Sequence, residues 1–207
     1  MIGRTNSALT TVVFDLGNVL VGWDPYLPFA DHLTRAEWRE AADAAGFAAL
    51  NVRADAGERI HDLVDEATRR DPAHGRLLRD YFDGFADSLT GPVPGTASIV
   101  ARLRESGVRL LGLTNASAET YPLMRAAAPA TDELEQIVVS GREGLIKPDA
   151  EIFRRLTEIT GATPQESVFI DDTEANVRSA SASGFAAIRF RDAEQLAADL
   201  RELGLLR

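Results

Sequence analysis

The chain contains no cysteine, which excludes disulfide frameworks, thiolate metal sites, iron–sulfur clusters and cysteine nucleophiles. It contains one lysine. Every other member of its 22 basic residues is arginine, and the lysine, Lys147, stands directly before Pro148. Histidine is scarce as well. His32, His61 and His74 all fall in the first half, so a histidine-centred mechanism would have to be built there. Positive charge is the minority: 32 acidic residues give a formal charge of −10, which argues against nucleic acid or an anionic membrane surface as partner. An anionic substrate would need cations gathered locally. No segment approaches the ~18 consecutive apolar residues of a membrane span. Met1-Ile2-Gly3-Arg4-Thr5-Asn6 lacks the long apolar run of a signal peptide. The expectation is a cytoplasmic protein with neither membrane nor nucleic acid as partner.

The 207 residues are 45% hydrophobic, enough for one sizeable core with a small appended unit. Residues 11–16, Thr-Val-Val-Phe-Asp-Leu, form a short apolar, β-branched run that ends at an Asp and passes into Gly17 and Asn18, the pattern of a buried strand entering a turn. From Trp23 to Leu89 the pattern is helical. Thr34-Arg35-Ala36-Glu37 is a capping box, and Asp71-Pro72 places a cap before a first-turn proline. Gly91-Pro92-Val93-Pro94-Gly95 reads as a linker.

Beyond it, helices and apolar strands alternate. Strands are expected at Val108–Leu113, Gln136–Val139, Ser167–Ile170 and Ala186–Phe190. Helices are expected near 96–105, 117–128 and 149–161, then through Ala182 and after an Asp192 cap. This alternation predicts an α/β fold: a Rossmann-like parallel sheet with helices on both faces. The predicted division is a core of residues 1–21 and 92–207 and an inserted helical cap of residues 22–91.

Ligands of open α/β sheets bind beyond the carboxyl ends of the strands. The residues expected there are Asp15, Gly17 and Asn18, then Thr114 and Asn115, then Lys147 past a Gly141–Gly144 loop, then Asp171 and Asp172. Singly, each is the kind of polar residue that caps a helix. Together they offer carboxylates, a hydroxyl and an ammonium on one rim, a set suited to phosphoryl transfer around a hard cation.

Phe14-Asp15-Leu16-Gly17-Asn18-Val19-Leu20, Leu113-Thr114-Asn115, Lys147-Pro148-Asp149 and Phe169-Ile170-Asp171-Asp172 resemble the four ordered motifs of the haloacid dehalogenase superfamily. The helical insertion resembles its cap domain. The opening motif is similar to that of bacterial α-glucose-1-phosphate phosphatases, and residues 171–176 resemble the N-terminal phosphatase domain of soluble epoxide hydrolases. The resemblance implies a hydrolase, a Mg²⁺-dependent phosphatase acting on a small phosphorylated metabolite such as a sugar phosphate. It makes Asp15 the nucleophile that forms an aspartyl-phosphate. It makes Asp15, the Gly17 carbonyl and Asp172 the metal ligands, with Asp171 adding or orienting one. Thr114, Asn115 and Lys147 would bind the phosphoryl group, Lys147 as a compact point charge that arginine cannot imitate.

Phosphatases of this superfamily usually carry a second aspartate two residues after the nucleophile, as general acid and base. Here Gly17 stands in that place. Backbone freedom is one reading of that glycine, and Asn18 beside it tolerates left-handed geometry. Without an acid, turnover would favour esters whose leaving groups need little help, such as anomeric phosphates. Asp24, shortly after the loop, is the nearest substitute in sequence. Two other readings stand beside the phosphatase: a non-catalytic phosphate- or metal-binding regulatory module, and a 2-haloacid dehalogenase. The last is opposed by the acidic pair Asp171-Asp172, where those enzymes carry Ser-Ser-Asn. Trp23, Trp38, Tyr81 and the three histidines are the cap residues available to set substrate choice.

Overall fold

A computed structural model describes residues 8–207; the N-terminal segment read above for a signal peptide lies outside them. Five parallel strands form the sheet: β1 (Thr11–Phe14), β4 (Arg109–Thr114), β5 (Gln136–Val139), β6 (Ser167–Asp171) and β7 (Ala186–Arg189). Their order is β5-β4-β1-β6-β7, with β1 at the centre. The strands are nearly all apolar because both faces are covered. Side chains alternate across the sheet, so Val12 and Phe14 join one core and Val13 the other. On the first face lie α5 (Thr96–Glu105), through Ile99, Val100 and Leu103, and α10 (Ala193–Glu202), through Leu196 and Leu200. On the second lie α8 (Ala150–Thr160), through Ile152, Phe153 and Leu156, and α9 (Glu174–Ala182), through Ala180; the short α7 (Ser140–Glu143) follows β5 directly.

The register pairs Phe14 with both Gly112 and Ile170. Asp15, Thr114 and Asp171 therefore reach the same edge of three adjacent strands. That is the carboxyl edge named from sequence.

Two expectations change. Gly91 and Pro92 are not a free linker. They close β3 (Leu89–Pro92), which pairs antiparallel with β2 (Val21–Trp23) in a two-stranded ribbon. The ribbon ties both ends of the helical insertion together. The helix expected from residue 117 begins only at α6 (Tyr121–Ala127), because Ser117 Oγ accepts from Glu119 N–H and holds the preceding turn.

The insertion holds α1 (Arg35–Ala45), α2 (Phe47–Asp55), α3 (Ile60–Arg70) and α4 (Pro72–Asp83). The Thr34–Glu37 capping box is formed in both directions, and Asp71 caps α4. Ala45, Leu50, Ala54, Leu63, Val64, Ala67 and Leu78 give the insertion a small core of its own. An aromatic chain links it to the main core. Phe29 stacks on Trp38 at 4.5 Å, Trp38 meets Phe47 edge-on at 5.2 Å, and Phe47 meets Tyr81 at 4.7 Å. Each such pair contributes about 0.5–1.5 kcal/mol beyond burial. No helix among the described residues is long and apolar enough to cross a membrane.

Candidate active site

The site begins where β1 ends. Asp15 N–H donates to the Ile170 carbonyl at 2.8 Å, so the strand pairing holds the backbone up to the carboxylate itself. The chain then turns sharply: the N–H groups of Leu20 and Val21 both converge on the Leu16 carbonyl, at 2.8 and 2.9 Å. Asn18 stands at φ 54°, the left-handed conformation its residue type permits. Its side-chain oxygen accepts from Trp23 N–H at 3.0 Å, closing the turn onto β2.

Asp15 Oδ1 accepts from Leu16 N–H at 2.7 Å and from Lys147 Nζ at 2.9 Å. Both donors fall on Oδ1, which leaves Oδ2 without a donor among the described residues. Lys147 also reaches Asp171 Oδ2 at 2.7 Å and lies 5.5 Å from the centre of the Phe169 ring. Its side chain is 1% exposed. Burial alone would lower its pKa, but the two carboxylates outweigh burial and hold the ammonium above its ordinary value. Asp171, fully buried, is further tied by Thr173 N–H at 2.8 Å and by Asn176 Nδ2 at 3.0 Å.

Asp15, Asp171 and Asp172 each offer an oxygen within 4.8 Å of the others. Three carboxylates against one ammonium leave an excess of negative charge. Burial pushes the Asp15 carboxyl up, with Lys147 pulling it down and Asp171 adding to the rise. Asp172 is pushed up by burial and then by Asp171. The donor set is all oxygen, the kind that suits a hard divalent cation.

Two neighbours complete the rim. Asn115 clamps the lysine loop: its Nδ2 donates to the Lys147 carbonyl and its Oδ1 accepts from Lys147 N–H, both at 2.9 Å. Thr114, at the end of β4, is buried, and its Oγ1 has no hydrogen-bond partner. Among the described residues no other buried side-chain oxygen or nitrogen is left so. Buried polar groups are nearly always paired, so a lone hydroxyl at a sheet edge is a donor suited to a ligand oxygen.

A family model for haloacid dehalogenase-like hydrolases matches residues 9–184. The chain belongs to that family. Among its relatives, a phosphoglycolate phosphatase of Pseudomonas putida is 28% identical over 190 residues, covering 84% of this chain and 66% of that protein. A sesquiterpene phosphatase of Aspergillus oryzae is 28% identical over 106 residues, 51% of this chain and 54% of that one. The chain thus spans about half to two thirds of the length of these curated relatives. A haloacid dehalogenase family enzyme of Bacteroides thetaiotaomicron, solved as a magnesium complex, superposes with a TM-score of 0.74 at 21% identity, covering 94% of this chain and 100% of that one. At that identity the likeness is one of fold.

In this haloacid dehalogenase-like hydrolase the insertion faces the rim across a cavity of about 80 Å³. Gly17, Asn115, Thr120 and Met124 line the core side; Trp23, Asn51, Asp55, Tyr81 and Phe85 line the other. Trp23 Nε1 donates to Tyr81 Oη at 3.0 Å, fixing both rings in the wall. Trp38 lies instead in the aromatic chain, and none of the three histidines lines the cavity. His61 is exposed beside Asp65, at 3.3 Å. Asp24, the substitute acid suggested by sequence, is placed elsewhere. Its Oδ2 accepts from Arg35 at 2.6 Å, and that hydrogen bond holds its carboxyl below the usual range. Asp55, Asn51 and Ser140 have no motif to mark them, and their nearness to the rim exists only in the folded chain.

Proposed function

We propose that the protein is a Mg²⁺-dependent phosphatase that hydrolyses a small phosphate monoester, such as a sugar phosphate, through an aspartyl-phosphate on Asp15. The observation that carries this reading is the Asp15 carboxylate, held by Lys147 on one oxygen and open on the other. The names of the phosphatase relatives support it.

Asp15, the Gly17 carbonyl and Asp172 would hold Mg²⁺, with Asp171 behind them fixing Lys147 and the turn at Thr173. Bound there, the cation supplies positive charge to the phosphoryl oxygens. Asp15 Oδ2 attacks phosphorus while the ester oxygen departs. Water then attacks the phosphorus of the aspartyl-phosphate, releasing phosphate and restoring the carboxylate. Thr114 Oγ1 donates to a phosphoryl oxygen, and Lys147 neutralises charge at the same group. Asn115 acts through the lysine loop that it clamps. Residues 22–91 serve as the cap and residues 1–21 and 92–207 as the core, so that closure of one on the other excludes water. The compact cavity favours a small leaving group.

The test is acid quenching of the protein during turnover of an aryl phosphate, followed by peptide mass analysis. Phosphorylation should appear on Asp15 and need Mg²⁺, and turnover should stop with chelator. Asp15→Asn should lose turnover by roughly 10⁴-fold or more while keeping its circular dichroism. Release of halide from a 2-haloacid in chelator would establish the dehalogenase reading. Binding of phosphate and Mg²⁺ with no ester hydrolysed would establish the non-catalytic one.

A further inference from the structure

Gly17 leaves the rim without the carboxylic acid that ester cleavage calls for. The opposite wall of the same cavity carries one. Asp55 is the last residue of α2, and its side chain lines the cavity together with Gly17 and Asn115. Its Oδ2 accepts from Asn51 Nδ2 at 3.2 Å, one turn earlier on the same helix. From the core, the Ser117 N–H lies near enough to the carboxylate to favour its charged form.

The backbone beneath it is fastened to the core. Ser140 Oγ donates to the Asp55 carbonyl at 2.6 Å and accepts from Ala116 N–H at 2.9 Å, so one buried hydroxyl joins α2 to the loop after β4. Next to this joint, a Cβ on Gly57 would stand 3.0 Å from the Gly141 carbonyl, a distance real side chains seldom reach. The small residues at both positions let the end of α2 seat directly on the core. Ile60 N–H adds a bond to Glu119 at 2.9 Å. Asp55 is thus a cap residue held at a fixed place over the catalytic rim.

We propose that Asp55 is the general acid and base of this enzyme, taking the part that Gly17 cannot. The proposal rests on the phosphatase reading. In the first step the protonated Asp55 carboxyl gives its proton to the ester oxygen as Asp15 Oδ2 bonds to phosphorus and the P–O bond to the leaving group breaks. In the second, the Asp55 carboxylate takes a proton from water as the water oxygen bonds to phosphorus and the bond to Asp15 breaks. Phosphate leaves and both carboxyl groups return to their starting states.

The surroundings suit this use. No cation is in hydrogen-bond contact with Asp55. The groups facing it are the neutral Asn51 amide, the Ser117 N–H, the Tyr81 hydroxyl and, at longer range, Lys147. Burial pushes its carboxyl up to about 7, opposed by the nearby Ser117 N–H and then by Lys147. An acid poised near neutrality both gives and takes protons there.

The experiment compares the parent, Asp55→Asn and the double variant Asp55→Asn with Gly17→Asp on phosphate esters of graded leaving-group pKa, in Mg²⁺. Position 17 has room: a Cβ there meets nothing within 4 Å, and its φ lies outside the left-handed range. The parent should show a shallow dependence on leaving-group pKa. Asp55→Asn should lose about 10²–10⁴ in kcat/KM on alkyl phosphates and little on activated aryl phosphates, steepening the dependence. Gly17→Asp should restore alkyl turnover in that background. An active parent whose Asp55→Asn variant keeps the parental slope, or loses all esters equally, would overturn the role of Asp55 alone. A parent that hydrolyses no ester would overturn the phosphatase reading and this proposal with it.

Discussion

The sheet edge and the helical wall facing it hold carboxylates under opposite conditions. At the edge, Asp15, Asp171 and Asp172 crowd within 4.8 Å around one buried ammonium, and every further unit of positive charge is welcome. On the wall, Asp55 stands apart from other acids, held by the neutral Asn51 amide. The first arrangement attracts cations. The second favours the protonated carboxyl, which burial pushes up to about 7. Asp24 shows what the same side chain becomes when the helical region gives it an arginine: an ionised surface partner pushed below its usual range. Position in the fold, more than residue type, divides the labour among these acids.

The contrast is broken most severely at Lys147. Replacement by arginine keeps the charge but must fit a planar fork into a space that is closed on every side, between Asp15, Asp171 and the Phe169 ring. Lys147→Arg and Lys147→Ala should lose about the same, on the order of 10²–10³ in kcat, as for removal of one donor to the transition state. An arginine variant with parental kcat would show that any cation serves at the edge.

A smaller effect sharpens the contrast at Asp55. Burial raises its carboxyl from the ordinary 3.8 to about 7 in the folded chain. Between those values the unfolded chain releases a proton that the folded chain keeps, so the parent loses stability as pH rises through this window. Asparagine does not titrate. The melting temperature of Asp55→Asn should therefore match the parent near pH 4, rise above it progressively towards pH 7, and hold that lead at pH 8. A gap that does not vary with pH would mean that the wall carboxyl is ionised throughout.

The smallest effect belongs to Asp24. Asp24→Asn removes an exposed ion pair with Arg35, and exposed pairs contribute little. Its kcat/KM should stay parental on alkyl and aryl phosphates alike. A selective loss on alkyl esters would move the proton donor from Asp55 to Asp24.

The edge was legible in the sequence because each of its residues follows a strand whose apolar run and terminal turn are local signals. Asp15 ends Thr-Val-Val-Phe, Thr114 ends β4, and Asp171 ends Ser-Val-Phe-Ile. The wall was not. Asp55 sits in an alanine-rich helix beside Arg53 and Ala54, and nothing nearby in the chain marks it. Its role depends on Ser140, 85 residues away, and on the close approach of Gly57 to Gly141. The ribbon of β2 and β3 was hidden for the same reason. Val21 finds Pro92 across the whole insertion, and such pairing depends on its partner far more than on its own residues. Asp24 drew attention through nearness in sequence, which the turn at Asn18 and the β2 strand convert into separation in space.

The aromatic wall has an optical consequence. The chain carries two tryptophans, and they occupy separate surroundings. Trp38 is stacked on Phe29 inside the insertion, whereas Trp23 borders the cavity with its indole N–H on Tyr81. With Trp38→Phe the emission of the protein comes from Trp23 alone, a fluorophore at the mouth of the site. With Trp23→Phe it comes from Trp38 and follows the packing of the helices. Ligand arrival and loosening of the insertion can thereby be watched as two separate light signals, without attaching a dye.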